Sequence, residues 1–311
     1  GPVGIRGPTG SIISNDVPNI KLNLNSVSSP TDGNAQNSGI VVKATTDKTL
    51  LYYDSSENYI ITSTDEYNVA NVTQQQKILA GNGSSGDRFG GDAGGKGVGI
   101  YGDYAIVGAR WEDGSKLEGG AVYVYNISNG VWSEESRLYT SDIDHYDYIG
   151  AKVAIYGDYF IIGAAGQEVG SGSEHGSAYI FYRSNGSWSQ QAKLTASDAT
   201  SGARFGNAVG IYGDYAIVGA YNMSGGGAAY IFLRDGTSWS QQAKITASDA
   251  DSTWGQFGFN LGIYGDYVVV GAHNNNDEGT NSGSAYIFYR DGTSWSQQAK
   301  LTASDGASTD Y

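Results

Sequence analysis

The segment Ile100-Tyr-Gly-Asp-Tyr-Ala-Ile-Val-Gly-Ala109 recurs residue for residue at 211–220, with close variants at 155–164 and 263–272. Its first tyrosines, Tyr101, Tyr156, Tyr212 and Tyr264, stand 55, 56 and 52 residues apart. A second segment, Asp235-Gly-Thr-Ser-Trp-Ser-Gln-Gln-Ala-Lys244, is repeated identically at 291–300, and Trp132, Trp188, Trp239 and Trp295 keep the same beat. Self-similarity at a period of about 50 residues, with several short strands per period, predicts a propeller-like array rather than a helical solenoid.

Each period reads as four strands. In the third copy Ala208–Tyr212 is a first strand and Gly213-Asp214 turns the chain. Glycine at the first central position is what a two-residue type II′ hairpin requires. Tyr215–Ala220 is a continuous apolar run suited to burial on both faces. Ala228–Leu233 is the third strand, followed by the turn signal Asp235-Gly236, and Trp239–Ile245 is a more polar fourth, as an outer edge demands.

Phe89-Gly90, Phe205-Gly206 and Phe257-Gly258 each precede a first strand; Gly108-Ala109, Gly163-Ala164, Gly219-Ala220 and Gly271-Ala272 each close a second. This pattern resembles the FG-GAP repeat family, the blade type of integrin α-subunit propellers. The fuller string, Gly-Ser-Ala-Tyr-Ile-Phe and then Trp-Ser-Gln-Gln-Ala-Lys-Leu-Thr-Ala-Ser-Asp, is similar to a branch of that family common in microbial and viral proteins. The resemblance covers residues 74–311 and implies an all-β fold, a β-propeller of four-stranded antiparallel blades. Ile149-Gly150 replaces Phe-Gly in the second unit. The calcium loop of integrin blades has no counterpart, because Tyr-Gly-Asp-Tyr is too short to wrap a cation in six or more oxygens. No metal and no cofactor are therefore expected.

Four complete units run from Phe89 to Thr302, while Gln74–Leu79 reads as a fourth strand without the three that should precede it. The expectation is a parent ring of about six to eight blades, its missing strands lying beyond residue 311, with an open or four-bladed array as the alternative.

Ahead of the repeats the composition changes twice. Gly1, Gly4, Gly7 and Gly10 keep strict Gly-X-Y phase, with Pro2 and Pro8 after two of them. Only glycine fits at the axis of three polyproline II strands, so residues 1–12 read as the end of a collagen-like stalk. Residues 13–72 alternate short apolar stretches (Ile20, Leu22 and Leu24; Leu50–Tyr53) with Asn, Ser, Thr and Asp, too few large side chains for a core of their own. Three copies wound together would bury more surface. That makes this segment a β-rich trimerising collar, and the chain a homotrimer through stalk and collar. Gly39–Thr49, Tyr53-Asp54 and Tyr59–Ser63 resemble a short β-element of phage and giant-virus tail-fibre proteins. Residues 73–311 are the propeller repeats, and a first residue that is Gly marks a processed chain or a piece of something longer.

Composition excludes several classes of function. Eighteen Lys+Arg against 32 Asp+Glu give a net charge of −14, which argues against nucleic acid as a partner, since phosphate affinity comes from clustered cations. Without cysteine there are no disulfides, thiolate nucleophiles or Cys-type zinc sites. No apolar run is long enough for a helical membrane span. His145, His175 and His273 share no repeat position and read as surface loop residues. Asp103, Asp158, Asp214 and Asp266 are copied into every unit, which suits turn formers bonding nearby backbone N–H groups rather than an asymmetric catalytic pair. No catalytic residue is assigned and no enzyme is expected. Asn274–Glu278 and Asp249–Asp251 hold oxygen ligands at close spacing but read as solvated loops. Sequons at Asn71, Asn82, Asn126, Asn185 and Asn222 would carry glycans only on a eukaryotic secretory route.

Strands that alternate in direction send the Gly-Asp and Asp-Gly turns to one face and the second-to-third loops to the other. The turn face is nearly invariant. The loop face diverges: Arg110-Trp111-Glu112, Gln167-Glu168, Tyr221-Asn222-Met223 and His273-Asn274. A rigid scaffold presenting dissimilar loops is how binding proteins are built. This face is the expected contact surface for a protein or glycan receptor on a cell, with Trp111 and Tyr221 as anchors. The function expected is a non-enzymatic fibre or surface-appendage subunit, extracellular or on a virion surface, whose head mediates attachment. A cellular extracellular adhesin is the alternative. A propeller glycan hydrolase or lyase ranks third, for want of an asymmetric acidic cluster.

Overall fold

The computed structural model describes residues 39–41, 48–53, 58–63, 76–91, 96–114, 116–166, 175–250, 255–277 and 279–304. The expected stalk at 1–12, most of the expected collar, Asn71 and Gln167-Glu168 lie outside the described residues. The chain divides into two units, Gly1–Gln75 and Gln76–Tyr311. In the first, β1 (Gly39–Val41), β2 (Lys48–Tyr53) and β3 (Asn58–Ser63) form an antiparallel sheet in chain order. No helix occurs among the described residues.

The second unit contains four antiparallel sheets of four strands, each an up-and-down meander consistent with a propeller blade. The first is β4 (Val98–Tyr101), β5 (Tyr104–Ala109), β6 (Ala121–Ser128) and β7 (Val131–Leu138); the second is β8 (Lys152–Tyr156), β9 (Tyr159–Ala164), β10 (Ser177–Ser184) and β11 (Ser187–Leu194). The third is β12 (Ala208–Tyr212), β13 (Tyr215–Ala220), β14 (Ala228–Asp235) and β15 (Ser238–Ile245). The fourth is β16 (Asn260–Tyr264), β17 (Tyr267–Ala272), β18 (Ser284–Asp291) and β19 (Ser294–Leu301).

Local chemistry explains the hairpins. Gly102, Gly157, Gly213 and Gly265 have φ of +54°, +61°, +58° and +57°, and none of the aspartates that follow has a positive φ. That is the type II′ turn read from the sequence. Asn129-Gly130 and Asn185-Gly186 both enter positive φ, as a type I′ turn requires. A β-bulge recurs in every third-to-fourth strand pair, at Val124/Tyr125, Ile180/Phe181, Ile231/Phe232 and Ile287/Phe288.

The core lies between successive blades. On β13, Ala216 and Val218 pack with Ile161 and Ile180 of the second blade, while Ile217 packs with Leu261 and Phe288 of the fourth. Burial on both faces is thus realised, each aliphatic side chain of this size contributing roughly 1.5–3 kcal/mol.

The two glycines of the repeat motif are halves of one contact. A Cβ on Gly219 would stand 2.0 Å from the carbonyl oxygen of Gly258 in the next blade. At Gly163 and Gly108 it would stand 1.9 Å from the carbonyl oxygens of Gly206 and Gly150. Blades touch backbone to backbone here, and no side chain fits between them.

The segment read as an orphan fourth strand is not a strand: 76–80 is irregular. Its anchoring is nevertheless blade-like. Ile78 and Ala80 pack against the cluster of Phe89, Tyr123 and Trp132 in the first blade. The Gln76 side chain donates to the Trp132 carbonyl at 2.7 Å and accepts from its N–H at 2.8 Å. Ladder pairing needs a neighbouring strand, and the described residues supply none on that side.

Candidate functional site

Two sets of copied side chains join the blades and leave the second-to-third loops free to vary. On the loop side, the first three blades each end in a Ser-Asp pair that latches onto the next. The Ser197 N–H donates to Gln241 Oε1 at 3.0 Å, and Gln241 Nε2 donates back to Ser197 Oγ at 2.9 Å. Asp198 accepts from the Tyr230 hydroxyl at 2.7 Å and from Lys244 Nζ at 2.6 Å. Ser141-Asp142 repeats this with Gln190, Tyr179 and Lys193, and Ser248-Asp249 with Gln297, Tyr286 and Lys300. In the first blade Asn82 takes the aspartate's place, its side-chain amide 3.0 Å from the Tyr123 hydroxyl.

On the turn side the clasp is cationic and aromatic. Arg183, Arg234 and Arg290 are ion-paired with Asp158, Asp214 and Asp266 of their own blades. The same guanidiniums lie 4.4, 4.6 and 4.6 Å from the ring centroids of Tyr104, Tyr159 and Tyr215 in the preceding blades. Trp188, Trp239 and Trp295 meet those tyrosines edge-on. The copied aspartates are therefore more than turn formers: their carboxylates orient the cation that grips the neighbouring blade. Ile127 fills the arginine position in the first blade.

Burial by itself would raise the carboxyls of Asp142, Asp198 and Asp249. The hydrogen bonds from the latch lysines and tyrosines outweigh it and hold them below the ordinary range. A carboxyl depressed in the folded state adds stability above its unfolded pKa and loses it as pH falls through the folded value. Melting temperature should therefore drop steeply below about pH 4. Asp147 has the opposite sign: burial, reinforced by the charges of Asp144 and Asp142, pushes it up to about 6. Its cost to the fold grows as pH rises from the ordinary carboxyl range, is complete above about 6, and is gone below about pH 4. Asp147→Asn should raise the melting temperature at pH 7 and leave it unchanged at pH 4, as read by circular dichroism.

The loop-face residues divide into those that remain outside and those that do not. Glu112 is 3% exposed, accepts from the Tyr123 hydroxyl at 2.7 Å and the Tyr139 hydroxyl at 3.1 Å, and is ion-paired with Arg137. Met223 is 5% exposed, packs in the core and accepts from Thr200 Oγ1. Both are corrections to the expected contact set, because the loop folds back over its own blade and needs a plug at that position. Asn275, 6% exposed and donating to the Tyr286 hydroxyl at 3.0 Å, plugs the fourth blade in the same way.

Trp111 is half-buried, with the Arg88 guanidinium 3.7 Å from its ring centroid. The Arg110 guanidinium lies 4.8 Å from the Tyr148 ring. Tyr221 and His273 contact Phe259 from two blades at 5.2 and 4.1 Å between centroids, and burial lowers the His273 pKa. Asn222 is exposed and donates to the Gly202 carbonyl at 2.7 Å, and Asn274 is half-buried. The face thus holds two separate groups, Arg88, Arg110 and Trp111 on the first blade and Tyr221, Phe259 and His273 across the third and fourth.

Residues 72–125, 132–181, 188–232 and 239–288 match the FG-GAP repeat. The chain belongs to the FG-GAP repeat family. Each FG-GAP match from the second onward opens on the last strand of one blade and ends on the third strand of the next, so the repeat is offset from the blade. The segment at 76–82 falls in the first match, which agrees with its latch-like contacts. No curated protein matches the chain. Among solved structures it is similar to the crystal structure of the N-terminal domain of Nup159, at 11% identity and a TM-score of 0.38, over 66% of this chain and 47% of that one. The chain thus spans about half the length of that structure.

Among the described residues no group of three or more His, Asp or Glu is placed to hold a metal. In the loops read as oxygen-rich, Asp249 is committed to its latch and Asp277 is ion-paired with Lys300. Chelator treatment should leave the melting temperature of the FG-GAP unit unchanged; a fall of several degrees would reveal a bound cation.

Proposed function

We propose that the FG-GAP unit is the head of a non-enzymatic fibre or surface-appendage subunit, extracellular or on a virion, and that it attaches to a protein or glycan receptor through its loop face. The observation that carries this reading is the contrast between the two ends of the blades. The turn end repeats one clasp of Asp, Arg, Tyr and Trp, whereas the loop end carries Arg110-Trp111, Tyr221-Asn222 and His273-Asn274 on the same scaffold. The chain is a homotrimer through residues 1–72.

The four blades belong to a larger ring. Val98 and Ile100 on the first blade are 58% and 67% exposed, where Val209 and Ile211 at the same places in the third are 8% and 6%. Val269 on the last blade is 43% exposed, against 0% for Ile217. Such faces suit further blades of the same kind at both ends of the array. An adhesin travelling a secretory route is the second reading, favoured by the exposure of the sequons at Asn82, Asn185 and Asn222.

The test is binding of the whole chain to a panel of cell surfaces and immobilised glycans. Tyr221→Ala combined with Trp111→Ala should abolish most binding while the circular dichroism spectrum is retained, each side chain contributing on the order of 2 kcal/mol as a hot spot. Asp235→Ala on the turn face should leave binding intact. Loss with the turn variant alone would place the site on the opposite face.

A further inference from the structure

Tyr101, Tyr156, Tyr212 and Tyr264 each close the first strand of a blade at its Gly-Asp turn, and the shared register sets their rings in a row. Successive centroids are 5.0, 4.6 and 4.9 Å apart, with interplanar angles of 53°, 44° and 54°. At such spacings ring carbons of neighbours are in van der Waals contact. The row is reached from solvent, Tyr264 being 75% and Tyr101 43% exposed. The chain has no cysteine, and its one methionine, Met223, is buried. No surface thiol or thioether therefore competes for an oxidant.

We propose that this row is a site of intrachain dityrosine formation, in which a peroxide-driven one-electron oxidant of the haem peroxidase class joins the first strands of neighbouring blades. Each of two phenols gives up one electron and its hydroxyl proton. The two phenoxyl radicals pair their electrons in a new carbon–carbon bond between ring positions ortho to the oxygens. The hydrogens at those positions then move to the oxygens as both rings become aromatic again. The peroxide takes up the two electrons and two protons, its oxygen–oxygen bond breaks, and two waters leave. Coupling within the row outruns coupling between chains because the partner ring is already in contact, an effective concentration far above any free one. In a chain without disulfides, the product is a covalent staple between blades.

The experiment treats the whole chain, at micromolar concentration, with horseradish peroxidase and hydrogen peroxide. The expected result is dityrosine fluorescence in the single-chain band of a denaturing gel. Tryptic digestion should yield Val153–Arg183 joined to Phe205–Arg234 with the mass of two hydrogens lost. Tyr212→Phe keeps the ring but cannot form the radical, so the joined peptide should vanish. Tyr215→Phe, outside the row, should retain it. Fluorescence confined to bands of two or more chains, or an undiminished joined peptide in Tyr212→Phe, would overturn the proposal.

Discussion

Replacing Gly219 with alanine should destabilise the array by at least about 4 kcal/mol, enough to unfold an ordinary domain. The added Cβ would stand 2.0 Å from the carbonyl oxygen of Gly258 and 3.3 Å from the Cβ of Ala208. The nearer obstacle is backbone, which no change of rotamer can clear, so the third and fourth blades would have to part. Their separation would expose the cluster of Ile217, Leu261 and Phe288. The control is built into the chain. At Gly271, the equivalent residue of the fourth blade, the nearest atom is 3.6 Å away, an ordinary contact. Gly271→Ala should therefore melt like the parent in urea. Equal effects at the two positions would refute the view that the Phe-Gly and Gly-Ala glycines are halves of one contact.

Phe205→Ala should cost about 3–5 kcal/mol, the range for emptying a buried aromatic site. Phe205 is fully buried, with the rings of Tyr230 and Phe232 at 5.5 and 6.1 Å. Parallel bridges tie Gly176 to Phe205 and Gly227 to Phe257, so this ring sits where the entry to each blade is pinned to its predecessor. The second unit shows what the site tolerates: Ile149 stands there, is fully buried, and makes the same kind of bridge to Gly120. Phe205→Ile should accordingly lose less than about 1.5 kcal/mol. Denaturant titration of both variants distinguishes a volume requirement from an aromatic one. A loss on Phe205→Ile as large as on Phe205→Ala would mean the edge-on ring contacts themselves are required.

Both predictions rest on features readable in the chain. The period of Tyr-Gly-Asp-Tyr, the type II′ turns at Gly102, Gly157, Gly213 and Gly265, and the two-faced run Tyr215–Ala220 were all legible. The cause is locality. A hairpin turn is decided by the φ preference of one glycine, and a strand by the alternation of a handful of side chains.

The loop face was less legible, because its residues answer to partners far along the chain. Glu112 and Met223 look like variable loop residues, yet both plug their blades, while their sequence neighbours Trp111 and Asn222 are half-buried and exposed. The latch aspartates at 142, 198 and 249 could have been noticed as a copied Ser-Asp pair, but their role depends on a tyrosine and a lysine 32 to 51 residues away.

Sequence alone determined that this protein is an all-β array of four repeated units with an FG-GAP pattern, since each unit spells out its own turns and strands. Only the tertiary structure decided which copied residues face the next blade, which loop residues are buried, and that 76–82 acts as a latch without being a strand. Those outcomes arise where one sheet packs on another, and a period in sequence says that units are alike without saying which surfaces meet.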